Sequence, residues 1–240
     1  MSKEKVLIIE DEADIRSLIK YNLNKAGFNR IETAESGLEG IEKAKEFLPD
    51  VILLDIMLPD VDGLNVCRKL RKGSKTNAIP IIMLTAKSEE TDIIIGLEMG
   101  ADDYITKPFS NKVLTARVRS VLRRHNEYNS SEKESETDNE DTQQKYIRRG
   151  DFTIDLNTRE VTYKDQLVNL TYSEFEILYL LARRSGWVYS REKIVNAIKG
   201  DGYPVTERAI DVQIVGLRKK LGVAGSHIQT IRGVGYRFVE

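Results

Sequence analysis

Four short runs rich in aliphatic and β-branched residues, Val6–Ile9, Val51–Leu54, Ile79–Leu84 and Tyr104–Thr106, constrain the first half of this chain more than any other feature. Each has the length of a strand. Val51–Leu54 and Ile79–Leu84 are almost continuously apolar, as strands covered on both faces must be. Between the runs stand helix-length segments. Ile15, Leu18, Ile19 and Leu23 share the face of a helix that ends near Gly27. A weaker strand at Ile31–Thr33 precedes Ser36-Gly37-Leu38-Glu39, a capping box that opens the next helix, and further helices end near Gly73, Gly100 and Arg124. Five strand–helix alternations predict an α/β fold, a (βα)5 doubly wound parallel sheet over residues 1–124.

Each run ends in a polar group: Glu10-Asp11-Glu12 after the first, then Asp55, Thr85 and Lys107-Pro108. The carboxyl ends of parallel strands face one crevice, where open sheets bind ligands. A single aspartate there is as often a helix cap; four such residues together fit a metal-assisted phosphoryl site. The Asp55 carboxylate can act as a nucleophile and become an aspartyl-phosphate if the incoming charge is neutralised. Glu10, Asp11 and Asp55, with a backbone carbonyl and waters, are oxygen ligands suited to Mg²⁺. Lys107 supplies a compact positive charge and Thr85 a hydroxyl donor. A phosphatase of the haloacid-dehalogenase type also has a nucleophilic aspartate, but that chemistry wants a second one two residues on, where this chain has Met57.

At 240 residues the chain exceeds the common single-domain size of roughly 100–150 residues, so two domains are expected. The stretch 126–144 has no aliphatic residue and cannot bury enough apolar surface to offset its ordering entropy. A flexible acidic linker is expected over 125–145. The net charge of −1 conceals an asymmetry: 20 acidic and 20 basic residues in 1–125, seven and one in 126–144, 11 and 16 in 145–240. A basic last third hints at a polyanionic partner. The sole cysteine, Cys67, stands among Leu64, Val66 and Leu70 and reads as core packing. No signal-peptide pattern and no membrane-length apolar run is present, so a cytoplasmic location without membrane attachment is expected.

After the linker the pattern becomes α+β. Short runs at Tyr146–Ile147, Phe152–Ile154, Glu160–Tyr163 and Leu167–Leu170 predict a small antiparallel sheet. Thr171 and Glu174 make a second capping box, stapled by Leu170 and Phe175, for a helix to about Arg184; other helices follow Ser190 and Thr206. His227–Arg232 and Tyr236–Val239 form a hairpin through Gly233-Val234-Gly235. In the third helix Ile210, Ile214, Leu217 and Leu221 share a core face, opposite Arg208, Val212, Val215, Gly216 and Lys219. In a major groove Val212 and Val215 suit thymine methyls, and Gly216 permits close backbone approach. Thr230, Arg232 and Tyr236 of the hairpin suit a phosphate or the minor groove.

Residues 1–124 resemble a response-regulator receiver domain throughout, through Glu10-Asp11-Glu12, Asp55-Ile56-Met57-Leu58-Pro59, Asp62-Gly63, Thr85-Ala86 and the stretch from Gly100 to Phe109. The resemblance implies a flavodoxin-like sheet and a sensor histidine kinase that phosphorylates Asp55. It implies Mg²⁺ on Asp11, Asp55 and the Met57 carbonyl with Glu10 in support, a cis Lys107–Pro108 peptide, and Thr85 and Tyr104 as a switch pair. Residues 146–240 resemble the winged-helix effector domain of the OmpR/PhoB branch, through Leu170–Phe175, Val188–Glu192, Leu217–Leu221 and Thr230–Phe238. Its contacts to double-stranded DNA map onto Arg208, Gln213, Arg218, Thr230, Arg232 and Tyr236; Val215 and Gly216 replace residues that are often basic or polar. In that branch phosphorylated receivers form a homodimer through their last strand and last two helices. Asp103–Arg117, Glu98–Arg119 and Asp102–Arg124 keep complementary charge here, whereas Ile93 and Val113 replace an expected ion pair and, with Ile94 and Leu97, make the patch more apolar. The resemblance therefore implies a phosphorylation-activated transcriptional regulator that binds tandem promoter half-sites and acts on no outside substrate. The alternative is a signalling protein whose last domain binds a protein such as RNA polymerase.

Overall fold

The computed structural model describes residues 2–86, 96–127, 146–199 and 207–240, which fall into two compact units, residues 1–122 and 123–240. The first contains β1 (Ser2–Ile9), α1 (Ala13–Lys25), β2 (Phe28–Ala34), α2 (Gly37–Phe47), β3 (Val51–Asp55), α3 (Gly63–Lys72), β4 (Ile81–Thr85), β5 (Asp103–Thr106) and α4 (Asn111–Glu127). The sheet runs β2-β1-β3-β4-β5 with every neighbouring pair parallel. Its order reverses at β1 and β3, so a crevice opens there at the carboxyl edge. Val6–Ile9, Val51–Leu54 and Ile81–Leu84 are at most 1% exposed, as expected of strands with helices on both faces. Edge strand β2 begins three residues earlier than expected, because only its ends are buried and its middle carries little apolar signal.

The start of α2 differs in detail from the expected capping box. Ser36 Oγ accepts from Glu39 N at 3.4 Å, but Glu39 Oε2 accepts from Glu35 N, one residue earlier than that motif requires. The first helical N–H groups, of Gly37 and Leu38, donate instead to Asp60 Oδ1 and Oδ2 at 2.7 and 2.9 Å. Slight burial works upward on the Asp60 carboxyl, but the backbone donors Leu38 and Gly37 outweigh it and lower its pKa from 3.8 to about 2. Asp60→Ala should therefore cost about 1 kcal/mol at neutral pH, the ordinary worth of a helix cap. Because the folded pKa lies below the unfolded one, that contribution is complete above 3.8 and fades as pH falls toward about 2. Urea unfolding of both proteins at neutral and acid pH checks this: the gap should narrow in acid.

The second unit contains a four-stranded antiparallel sheet of β6 (Tyr146–Arg149), β7 (Phe152–Asp155), β8 (Val161–Tyr163) and β9 (Gln166–Val168), then α5 (Tyr172–Arg183), β10 (Tyr189–Ser190), α6 (Arg191–Lys199), α7 (Glu207–Leu221), a 3-10 turn at Gly222–His227, β11 (Ile228–Ile231) and β12 (Gly235–Phe238). The capping box of α5 is present in both halves: Glu174 N donates to Thr171 Oγ1 at 3.4 Å and Thr171 N to Glu174 Oε2 at 2.7 Å. Ile210, Ile214, Leu217 and Leu221 of α7 join Phe175, Leu178 and Phe238 in one core. Two-residue β10, too short for any periodicity, pairs with β12 and completes a sheet ordered β10-β12-β11. This pairing requires glycine at 235, where a Cβ would collide with the Tyr189 carbonyl oxygen. Of the segment expected to be a linker, 125–127 belong to α4, and 128–145 lie outside the described residues. No described helix is long and apolar enough to cross a membrane.

Candidate phosphoacceptor site and candidate nucleic-acid face

Strand pairing brings the polar residues level. Asp55 is the last residue of β3 and stands opposite Leu84, while Thr85, the last of β4, stands opposite Thr106 of β5. Glu10 follows β1 directly and is tied by its N–H to the Ala34 carbonyl at 3.1 Å; Lys107 follows β5 and is tied by its N–H to the Thr85 carbonyl. Lys107 Nζ donates to Asp55 Oδ2 at 2.8 Å and to Glu10 Oε1 at 2.9 Å. Asp55 is 2% exposed and Glu10 is fully buried. The Lys107–Pro108 peptide is cis.

Ligand oxygens of Glu10, Asp11 and Asp55 lie within 4.8 Å of one another, with Asp11 the most solvent-open. Burial raises the Glu10 carboxyl to about 7; the Lys107 bond opposes this, and the Asp55 charge adds to it. At Lys107 burial works downward, but the bonds to Asp55 and Glu10 prevail and raise its pKa. Glu10 Oε2, also buried, lies 2.9 Å from the same Lys107 ammonium. Three carboxylates whose ligand oxygens converge, an all-oxygen donor set, fit a small hard divalent cation. Met57 is 65% exposed, and its N–H donates to Asp55 Oδ1 at 3.2 Å. Thr85 and Tyr104 both line a small cavity of about 10 Å³ with Ile56, Met83 and Leu97, close to the minimum that holds one water.

Two arginines that the sequence did not single out fasten loops of this unit, Arg16 beside the site and Arg71 at the opposite edge of the sheet, where β4 and β5 begin. Arg16 of α1 donates to the Glu10 and Asp11 carbonyls at 2.7 and 2.9 Å and to Glu35 Oε1 at 2.6 Å. Arg71 of α3 joins Asp102, Gly100, Asn77 and Ile79. The first has no local sequence signal, because its partners are mostly main-chain carbonyls.

The expected dimer face needs correction. Asp102 is 1% exposed and pairs with Arg71 at 2.6 Å within its own unit, so it is not an open surface charge. Leu97 is 8% exposed and packs inward, which removes it from the apolar patch. Asp103 and Arg117 form an ion pair within the chain at 3.3 Å. Arg119 donates to the Ala26 carbonyl at 2.8 Å. Val113 is 42% exposed, as expected, and Glu98 is exposed. Ile93 and Ile94, and the side chain of Arg124, lie outside the described residues.

On α7 and the hairpin, Arg208, Lys219 and Arg232 are exposed, Val215 is 65% exposed and Val212 is half-buried. Gln213 and Tyr236 depart from the DNA-contact expectation, being 8% and 4% exposed. Gln213 follows Ile210 by three residues and precedes Leu217 by four, a spacing that turns it toward the core. Tyr236 shares the inward face of β12 with Phe238; its hydroxyl donates to Asp211 Oδ1 at 2.6 Å, and Arg191 both bonds Asp211 at 2.7 Å and lies over the tyrosine ring. The helix and hairpin are thereby joined. Arg218 adds a second joint, donating to the Ile228 carbonyl at 2.6 Å and to Thr230 Oγ1 at 2.9 Å. At Gly216 a Cβ would stand 3.0 Å from Glu174 Oε1 at the start of α5, a tight contact with the end of one side chain.

The chain matches the family model of the response regulator receiver domain over residues 6–119 and that of the C-terminal domain of transcriptional regulatory proteins over residues 165–238. It is 40% identical to the alkaline phosphatase synthesis transcriptional regulatory protein PhoP of Bacillus subtilis (strain 168), across 99% of this chain and 97% of that protein. It is 42% identical to the uncharacterized transcriptional regulatory protein YclJ of the same bacterium, across 98% and 99%. Among solved structures, a RitR mutant gives a TM-score of 0.76 at 25% identity, covering 99% of both chains.

Proposed function

The chain belongs to the OmpR/PhoB-type response regulators, transcriptional regulators with a receiver and a winged-helix DNA-binding domain, and on that premise we propose that Asp55 accepts a phosphoryl group from a sensor histidine kinase. The observation that carries this reading is the Asp55 carboxylate at the carboxyl edge of the sheet, 2.8 Å from the Lys107 ammonium and beside Glu10 and Asp11. An Asp55 oxygen attacks phosphorus, the P–N bond of the donor phosphohistidine breaks, and its electron pair stays with the imidazole. Lys107 stays beside the added phosphoryl oxygens, and Thr85 donates to one of them. Glu10, Asp11, Asp55 and the Met57 carbonyl would hold Mg²⁺, which when bound neutralises further phosphoryl charge. Phosphate is later lost to water from the same residue, so the protein turns over no outside substrate.

Phosphorylation then biases an existing equilibrium through the Thr85–Tyr104 cavity and favours a receiver homodimer. The dimer raises the effective concentration of two winged helices on tandem promoter half-sites. Both encounters place the protein in the cytoplasm. Boundaries at 124/125 and 145/146 separate receiver, linker and effector in this reading. A mobility-shift titration on genomic promoter fragments tests it. Wild type treated with acetyl phosphate and Mg²⁺ should bind more tightly than untreated protein, and Asp55→Asn should show no gain. An equal gain in the variant contradicts the reading.

The exposed residues divide the DNA contacts. Arg232→Ala should weaken binding to specific and random duplexes alike and reduce the salt slope by about 1, as loss of one phosphate contact does. Val215→Ala should change preference at a thymine, by roughly 1 kcal/mol or less for a lost methyl contact. Equal losses on specific and random DNA would remove Val215 from base reading.

A further inference from the structure

The turn between β2 and α2 contributes no ligand to the acidic pocket, yet both loops that carry ligands are fastened to it. From one side, Glu10 N donates to the Ala34 carbonyl at 3.1 Å, and the Arg16 guanidinium bridges the Glu10 and Asp11 carbonyls to Glu35 Oε1. From the other side, Asp60, in the loop that leaves Asp55, accepts the N–H groups of Gly37 and Leu38 at 2.7 and 2.9 Å. Residues 34–38 therefore form a bracket between the Glu10–Asp11 turn and the Met57-bearing loop. Arg16 is its central fastener. Its side chain is 12% exposed, and it grips main-chain oxygens of the two residues whose carboxylates point into the pocket. A guanidinium suits this task because its rigid fork serves several acceptors at fixed angles.

We infer that Arg16 is a positioning residue for the divalent-cation pocket, acting through the Glu10 and Asp11 main chain and anchored by Glu35. This rests on the receiver reading above. Groups that orient metal ligands without touching the ion commonly change affinity by about 10–100-fold when removed. Arg16 contributes no ligand atom itself, so its loss should reduce cation affinity without abolishing it, in contrast to loss of Asp11.

The test is calorimetric titration of the full chain with Mg²⁺, comparing wild type, Arg16→Gln, Arg16→Lys, Glu35→Gln and Asp11→Asn. Each is also melted in EDTA. Arg16→Gln should weaken Mg²⁺ binding about tenfold while its EDTA melting temperature stays close to that of wild type, and Arg16→Lys should recover part of the affinity. Glu35→Gln, which leaves the carbonyl bonds in place, should lose less. Wild-type Mg²⁺ affinity in Arg16→Gln overturns the inference alone. A wild type that takes up no Mg²⁺ overturns the receiver reading with it. Should Arg16→Gln fail to fold, Glu35→Gln decides: a reduced affinity at unchanged melting temperature supports the bracket, and an unchanged affinity overturns it.

Discussion

Replacing Arg71 with alanine is expected to destabilise the receiver unit by roughly 3–5 kcal/mol, the usual consequence of removing one member of a buried ion pair. The guanidinium donates to the carbonyls of Gly100, Asn77 and Ile79 at 2.7, 2.8 and 2.6 Å and to Asp102 Oδ2 at 2.6 Å. Its side chain is 8% exposed and that of Asp102 is 1%. Asp102 Oδ2 also accepts from Ile81 N at 2.9 Å, so one carboxylate links the starts of β4 and β5 to the end of α3. Without Arg71, the buried Asp102 charge loses a guanidinium at 2.6 Å and three carbonyls lose a donor. Substituting both partners with apolar residues of similar volume, Arg71→Met with Asp102→Leu, should recover part of the loss, because no isolated charge then remains. Urea unfolding of the receiver transition measures both; a loss below about 1 kcal/mol for Arg71→Ala, the scale of a surface pair, would show that the network is replaceable by water.

Gly63→Ala should damage the site more than the fold. Gly63 opens α3, and its N–H donates to the Ile56 carbonyl at 2.9 Å. A Cβ there would collide with the Asp55 carbonyl oxygen and approach Ile56 Cα to 2.7 Å. Both obstacles are main chain, so relief requires the backbone beside the phosphoacceptor to move. Overpacking of this kind costs roughly 1–3 kcal/mol. Misplacing a reacting group by about 1 Å can slow a reaction about 100-fold. Phosphorylation by acetyl phosphate should therefore slow by about that factor in a variant that remains folded. A wild-type rate would mean that α3 yields without disturbing Asp55.

Much of the fold was legible because burial leaves periodic marks. Val51–Leu54 and Ile81–Leu84 announce doubly covered strands, and the capping box at Thr171 and Glu174 marks a helix start that the structure reproduces in both hydrogen bonds. The meeting of Glu10, Asp55, Thr85 and Lys107 was legible because parallel strands end level, so terminal residues of different strands come together. The burial of Asp102 was not legible because Arg71, which it pairs with, lies 31 residues away and no local pattern separates a buried aspartate from an exposed one. Gln213 and Tyr236 carried a signal that outweighs the resemblance: one occupies a core spacing in α7, and the other shares its strand face with Phe238. Beside Gly216 the nearest atom a Cβ would meet belongs to Glu174, 42 residues earlier, a neighbour that no local pattern announces. Arg16 was invisible, since main-chain acceptors leave no trace in sequence.

Covalent capture of phosphate by the buried Asp55 carboxylate underlies every functional step proposed above. Peptide mass spectrometry of the full chain, after treatment with acetyl phosphate and Mg²⁺, measures this directly. A single hydroxylamine-labile phosphoryl adduct is expected on the peptide that contains Asp55, absent from Asp55→Asn and strongly reduced without Mg²⁺. An unmodified Asp55 peptide in a folded, Mg²⁺-binding protein, or an adduct that persists in Asp55→Asn, would contradict it.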